Sequence, residues 1–326
     1  MERDFDTTKD VVTNEVKAKK SAQAKADAQL WVVASGKGGV GKTFVTTSLG
    51  LTLSKLGHSV VIVDLDLSGA NVHTSLGANP SHMNIRHYFE GAKSLQELVI
   101  PTTYPRLSYV QGFWDSWTPT DFSYNQIQNL IPELKKLRAD YVLVDLGAGA
   151  LEAHLNLFKT ADEKILVTSP EPTSIEKTYR FIEAYMCHSL KENAAPDAFG
   201  NMITTLRDHR QRTLSKPFSF KSYLKEQTGI SYTFFEALSQ KPVRLVVNSC
   251  RSQANAELGH SIKSVCHKYY DLGIDFTASI NYDNAVWQSV KSRTPALVAQ
   301  PFTPLAGQFL NSCKHLIDPE ELRAVV

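Results

Sequence analysis

The stretch Gly36-Lys37-Gly38-Gly39-Val40-Gly41-Lys42-Thr43 limits the possible fold more than any other part of the chain. It has the form G-x-x-x-x-G-K-[ST], a loop whose backbone cradles phosphates. Its flanks agree with that reading. Leu30–Ser35 is apolar and β-branched enough for a buried strand, and Phe44–Leu53 predicts a helix. Between them, the amides of Gly38, Gly39, Val40, Gly41, Lys42 and Thr43 are expected to face a phosphate chain at a helix N-terminus. Lys42 is expected to reach the β- and γ-phosphates, and the Thr43 hydroxyl to ligate Mg²⁺.

Two further apolar runs end in acids. Ser59–Val63 leads into Asp64-Leu65-Asp66, and Tyr141–Val144 leads into Asp145-Leu146-Gly147-Ala148-Gly149. Carboxylates there would lie at the carboxyl ends of parallel strands, where α/β sheets bind ligands. Asp66 suits orienting or deprotonating the attacking water. Asp64 and Asp145 suit the Mg²⁺ shell, Asp145 through water. Gly147 can bring a backbone N–H near the γ-phosphate. A fourth strand, Ile165–Pro170, precedes Glu171-Pro172-Thr173-Ser174, where Thr173 or Ser174 is expected to cap a helix over Ile175–Tyr185. After a fifth strand, Arg244–Asn248, the Asn248 amide can offer both a donor and an acceptor to an adenine edge.

This alternation predicts an α/β fold: a doubly wound, mostly parallel sheet with helices on both faces. Residues 1–29 read as a polar arm and 30–326 as one domain interrupted by a helical insertion at about 186–242. From Met186 to Leu245 nine Lys and Arg stand against five Asp and Glu. Aromatic residues there lie near basic ones, a pattern that fits a solvated helical insert or a partner, DNA or lipid surface. Trp114 and Trp117 lie in a loop-like stretch. The net charge of +2 does not argue for a nucleic-acid binder. Cys187, Cys250, Cys266 and Cys313 form no C-x-x-C pair, and none precedes residue 187. A metal-cluster carrier is therefore disfavoured, and a reducing cytoplasmic setting is expected. No apolar run is long enough to span a bilayer, and the N-terminus lacks a signal peptide's apolar core.

The pattern K-G-G-x-G-K-T resembles the deviant P-loop of the MinD/ParA family of ATPases. The segments at 64–71 (D-x-D-L-x-x-A-N), 145–149 (D-x-G-A-G), 170–173 (P-E-P-T) and 246–248 (V-V-N) follow in the same order. The D-L-x-x-A-N and D-x-G-A-G variants look closest to the branch that regulates flagellar number and placement (FlhG, also called FleN). The resemblance covers residues 30–185 and 243–315. It implies Mg²⁺-dependent ATP hydrolysis and an ATP-bound sandwich homodimer stimulated by a protein partner, regulating flagella or the division site. Lys37 of each chain would touch the other's phosphates. Catalysis is then expected from Lys37, Lys42 and Asp66, and contact with the base from Asn248, Arg251 and Asp283. A ParA-like partitioning ATPase that binds DNA nonspecifically is the alternative. The arm lacks a clear D-Q-A-x-x-L-R segment, which the flagellar branch uses on a partner GTPase. The amphipathic stretch Leu305–Ile317 leaves peripheral membrane contact open, although it carries little positive charge.

Overall fold

The computed structural model describes residues 27–66, 69–113, 123–191, 199–201, 203–204 and 241–317. Most of the expected arm and insertion, together with Trp114 and Trp117, lies outside the described residues. The described chain forms one eight-stranded sheet in the order β3-β4-β2-β5-β1-β6-β7-β8. Its central strand, β1 (Gln29–Ala34), pairs in parallel with β5 (Tyr141–Leu146) and β6 (Glu163–Thr168). Outward on one side lie β2 (Val60–Leu65) and β4 (Leu107–Val110), and on the other β7 (Val243–Cys250) and β8 (Ile274–Asn281), all parallel. Only the three-residue edge strand β3 (Val99–Pro101) is antiparallel.

The continuous apolar runs follow from burial on both faces. In β1, Leu30, Val32 and Ala34 enter one core, and Trp31 and Val33 enter the other. All five are at most 1% exposed. The first core is closed by α4 (Tyr124–Lys135), α5 (Glu152–Thr160), α6 (Pro172–Lys191) and α7 (Gln253–Tyr270). The second is closed by α1 (Lys42–Lys55) and the C-terminal α10 (Pro304–Leu316). The described residues also form the short helices α2 (Val72–Ser75), α3 (Arg86–Phe89), α8 (Asn284–Ser292) and α9 (Ala296–Ala299), and a 3-10 turn at Leu95–Leu98.

Two local expectations change. Helix α6 begins at Pro172, so Thr173 and Ser174 lie inside its first turn instead of capping it. The Ser174 hydroxyl instead accepts from the Ser169 N–H. The helix also continues past Tyr185 to Lys191, because Met186 and Leu190 still face the core. The amphipathic stripe of α10 is used internally: Leu305, Phe309, Cys313 and Leu316 are buried in the second core. Phe309 meets Phe44 of α1 edge-on at 5.4 Å. That packing accounts for the pattern that had suggested a lipid contact. Among the described residues, no helix is long and apolar enough to cross a membrane.

Candidate nucleotide site

Parallel pairing brings the motifs together at one edge. In β2 and β5, Asp64 stands opposite Asp145, and in β1 Val33 stands opposite Asp145. The Gly36–Gly41 loop leaves β1 beside them and enters α1. Gly39 and Gly41 have φ of +81° and +87°, the left-handed region that side chains rarely adopt. At Gly41 a side chain would also strike the Asn248 amide, whose nitrogen lies 2.2 Å from the position a Cβ would take.

Inside the loop, Lys42 is 6% exposed and Asp145 fully buried. The Lys42 Nζ lies 2.8 Å from Asp145 Oδ1 and 3.4 Å from Asp66 Oδ2. Burial pulls the Lys42 pKa down, but the Asp145 and Asp66 carboxylates overcome it and the net shift is upward. The Thr43 hydroxyl donates to Asp145 Oδ2 at 2.6 Å. The Thr46 hydroxyl lies 3.0 Å from Asp145 Oδ1. Thr46 was not anticipated, although its place four residues after Lys42 puts both on one helix face.

Asp64 is fully buried, and its two oxygens accept from the backbone N–H groups of Asp66 and Val72, each at 3.1 Å. It therefore fastens the turn that carries Asp66. Burial, and then the Asp145 carboxylate, push its pKa up to about 8 against the pull of those donors. This edge is short of positive charge. The Thr43 hydroxyl and the carboxylates are hard oxygen donors, the kind that suits Mg²⁺. Among the described residues, no three His, Cys, Asp or Glu form a cage for a metal.

Lys37 occupies a different environment. Its side chain is 35% exposed, and its Nζ lies 2.9 Å from Glu171 Oε2 and 3.0 Å from Thr173 Oγ1 of the same chain. The hydrogen bond from Lys37 lowers the Glu171 pKa. Sequence reading marked Glu171 and Thr173 within P-E-P-T but did not pair them with Lys37. The signal was topological, because β6 lies beside β1.

The three residues expected at the base divide. Asn248 is buried, and its Nδ2 donates to the Val40 carbonyl at 2.8 Å, clamping the phosphate loop. Asp283 accepts from Ala285 N and caps α8. Arg251 lines an open cleft of about 430 Å³ with Cys250, Gln253, Asn281 and Tyr282. Its guanidinium stacks over the Tyr282 ring at 4.0 Å. Ser249, at φ +62°, sits in the bulge of β7 that leads to Arg251. Gly147 follows Asp145, and the Gly149 N–H donates to the Ser35 carbonyl, tying the second glycine loop to the first. The imidazole of His154, on α5, packs against Gly147.

The profile of the ParA family, described as a NUBPL iron-transfer P-loop NTPase, matches residues 28–221. The septum site-determining protein MinD of Bacillus subtilis is 32% identical over 180 residues, spanning 55% of this chain and 65% of that protein. The flagellum site-determining protein YlxH of Helicobacter pylori is 28% identical over 190 residues, spanning 57% and 62%. The chain thus spans somewhat less than two thirds of the length of these relatives. The structure of Pyrococcus horikoshii MinD complexed with Mg-ADP superposes with a TM-score of 0.62 at 20% identity, covering 92% of this chain and all of that one. With the profile spanning more than half its length and the loop, sheet order and acidic strand ends in place, this chain belongs to the ParA family of P-loop NTPases, among its MinD-like members.

Proposed function

We propose that the protein is an ATP-hydrolysing switch of MinD type that dimerises around ATP and regulates the placement or number of flagella or the division site. One observation carries the reading. The phosphate loop holds two lysines in distinct roles: Lys42 is enclosed by acids inside the site, whereas Lys37 stands on the rim, held among the described residues by Glu171 and Thr173. The inner lysine is sufficient for a loop that serves one chain. A second lysine at the rim is placed to serve a nucleotide held opposite by another copy.

In this reading the triphosphate lies along the amides of Gly38–Thr43, and Lys42 turns from Asp145 to the β- and γ-phosphates. Thr43 and Asp145 would hold Mg²⁺, which neutralises charge developing on the phosphates. Asp66 orients the water, and the Gly147 N–H meets the γ-phosphate. Lys37 leaves Glu171 and Thr173 for the partner chain's phosphates. ATP thereby favours the dimer by its differential affinity, and hydrolysis releases it. Arg251 and Tyr282 line a cleft that follows Asn248 along the chain, and they suit contact with the base.

The test is ATP turnover measured across protein concentration. Shared sites predict turnover per chain that rises with concentration and then saturates. Turnover per chain that is constant across the whole range contradicts shared sites. The same titration with DNA added separates the partitioning alternative, which requires salt-sensitive DNA binding in the ATP state.

A further inference from the structure

His154 is a buried polar residue of α5, among Ala153, Leu155, Leu157 and Phe158 of the first hydrophobic core. The Cε1 and Nε2 atoms of His154 lie 3.0 Å and 3.8 Å from the point where a Gly147 side chain would begin. Asp66 Oδ1 lies 3.6 Å from the same point. The imidazole and the Asp66 carboxylate thus both border the Gly147 peptide, which in the reading above offers its N–H to the γ-phosphate while Asp66 orients the water.

We propose that His154 is a positioning residue for ATP hydrolysis, a rigid spacer that sets the Gly147 peptide against the Asp66 carboxylate. The proposal rests on the reading of Asp66 and Gly147 given above. The spacer is expected to act on geometry more than on nucleotide affinity, because the hydrogen bonds from Lys42 and Thr43 run to Asp145. It also explains the glycine at 147: a methyl group there would press on the imidazole. The two positions should therefore behave as one unit.

The experiment is steady-state ATP hydrolysis by the purified full chain with Mg²⁺. His154→Ala should lower kcat about ten- to a hundredfold, the scale of a small misplacement of reacting groups. Its KM for ATP should stay within about twofold of wild type, since ground-state binding is untouched. His154→Gln, which keeps a polar side chain of similar reach without opening a cavity, should restore much of the rate. Gly147→Ala should also lower kcat, and the double variant should be no slower than the slower single variant. Multiplying losses in the double variant would overturn the proposal. So would an unchanged kcat in both His154 variants, or a fall in kcat matched by lost ATP affinity and a lower melting temperature. Asp66→Ala, run alongside, separates the two layers. If it is as active as wild type, the hydrolysis reading itself fails. If it is inactive while His154→Ala is fully active, only the spacer fails.

Discussion

Lys42 and Lys37 are five residues apart on one loop and experience opposite physics. Lys42 is buried among Asp145, Asp66 and Asp64, and each charge there depends on the others. Lys37 is 35% exposed and faces Glu171, which is 64% exposed. Exposed pairs of this kind contribute little, about 0–1 kcal/mol, because water and salt screen them. Breaking a buried pair by removing one partner costs about 3–5 kcal/mol. The contrast separates what needs replacement charge from what exchanges freely: in the proposed cycle the inner lysine leaves its acids only when phosphates and Mg²⁺ take over their charges, whereas the rim lysine can exchange its partner at small cost.

The largest effect that could break this comparison lies in the inner cluster. Lys42→Ala should abolish nucleotide binding and lower stability by about 3–5 kcal/mol, read by chemical denaturation. A fully stable variant would mean that the acids do not depend on the lysine. Asp66→Ala comes next. It should fold normally and bind ATP, yet turn over about 10²–10⁴ times more slowly. Asn248→Ala leaves the Val40 carbonyl without its buried donor and should cost about 1–3 kcal/mol, with weaker binding of ATP and ADP alike.

A graded effect of pH sharpens the same contrast. With its pKa raised from 3.8 in the unfolded chain to about 8 in the fold, Asp64 gives the native state more bound protons than the unfolded state across that window. Its contribution to stability is therefore fully present below the lower value and is lost as pH rises through the upper one. Melting temperatures of the nucleotide-free protein should reflect that decline, and Mg²⁺ with ADP should flatten it by supplying positive charge. The smallest expected effect on stability is at the rim. Glu171→Gln should change stability by less than about 1 kcal/mol. It should nevertheless lower the ATP concentration at which dimers form, because Lys37 is no longer held in its own chain.

The central strands were legible in the sequence because β1, β2 and β5 are buried on both faces and read as apolar runs that end in chemistry-bearing residues. The edge strand β3 was not, since three residues ending in Pro101 carry no periodicity. The cluster of Lys42, Thr43, Asp66 and Asp145 was legible from residue type and order. Several side-chain roles were not. Asn248 has the donor and acceptor expected of a base reader, but the return of β7 beside β6 places its amide under the loop. Asp64 looks like a metal ligand in a row of acids, yet both of its oxygens face backbone amides that only the turn after β2 creates. Glu171 is 134 residues from Lys37 in the chain, and only the β1–β6 pairing makes them neighbours.

Whether two chains share the nucleotide is read most directly from the mass of the protein in solution with ATP, with ADP and without nucleotide, compared between wild type and Lys37→Ala. A dimer is expected for the wild type with ATP alone, and a monomer for Lys37→Ala under every condition. A wild type that stays monomeric with saturating ATP, or a Lys37→Ala variant that dimerises as readily as wild type, would contradict it.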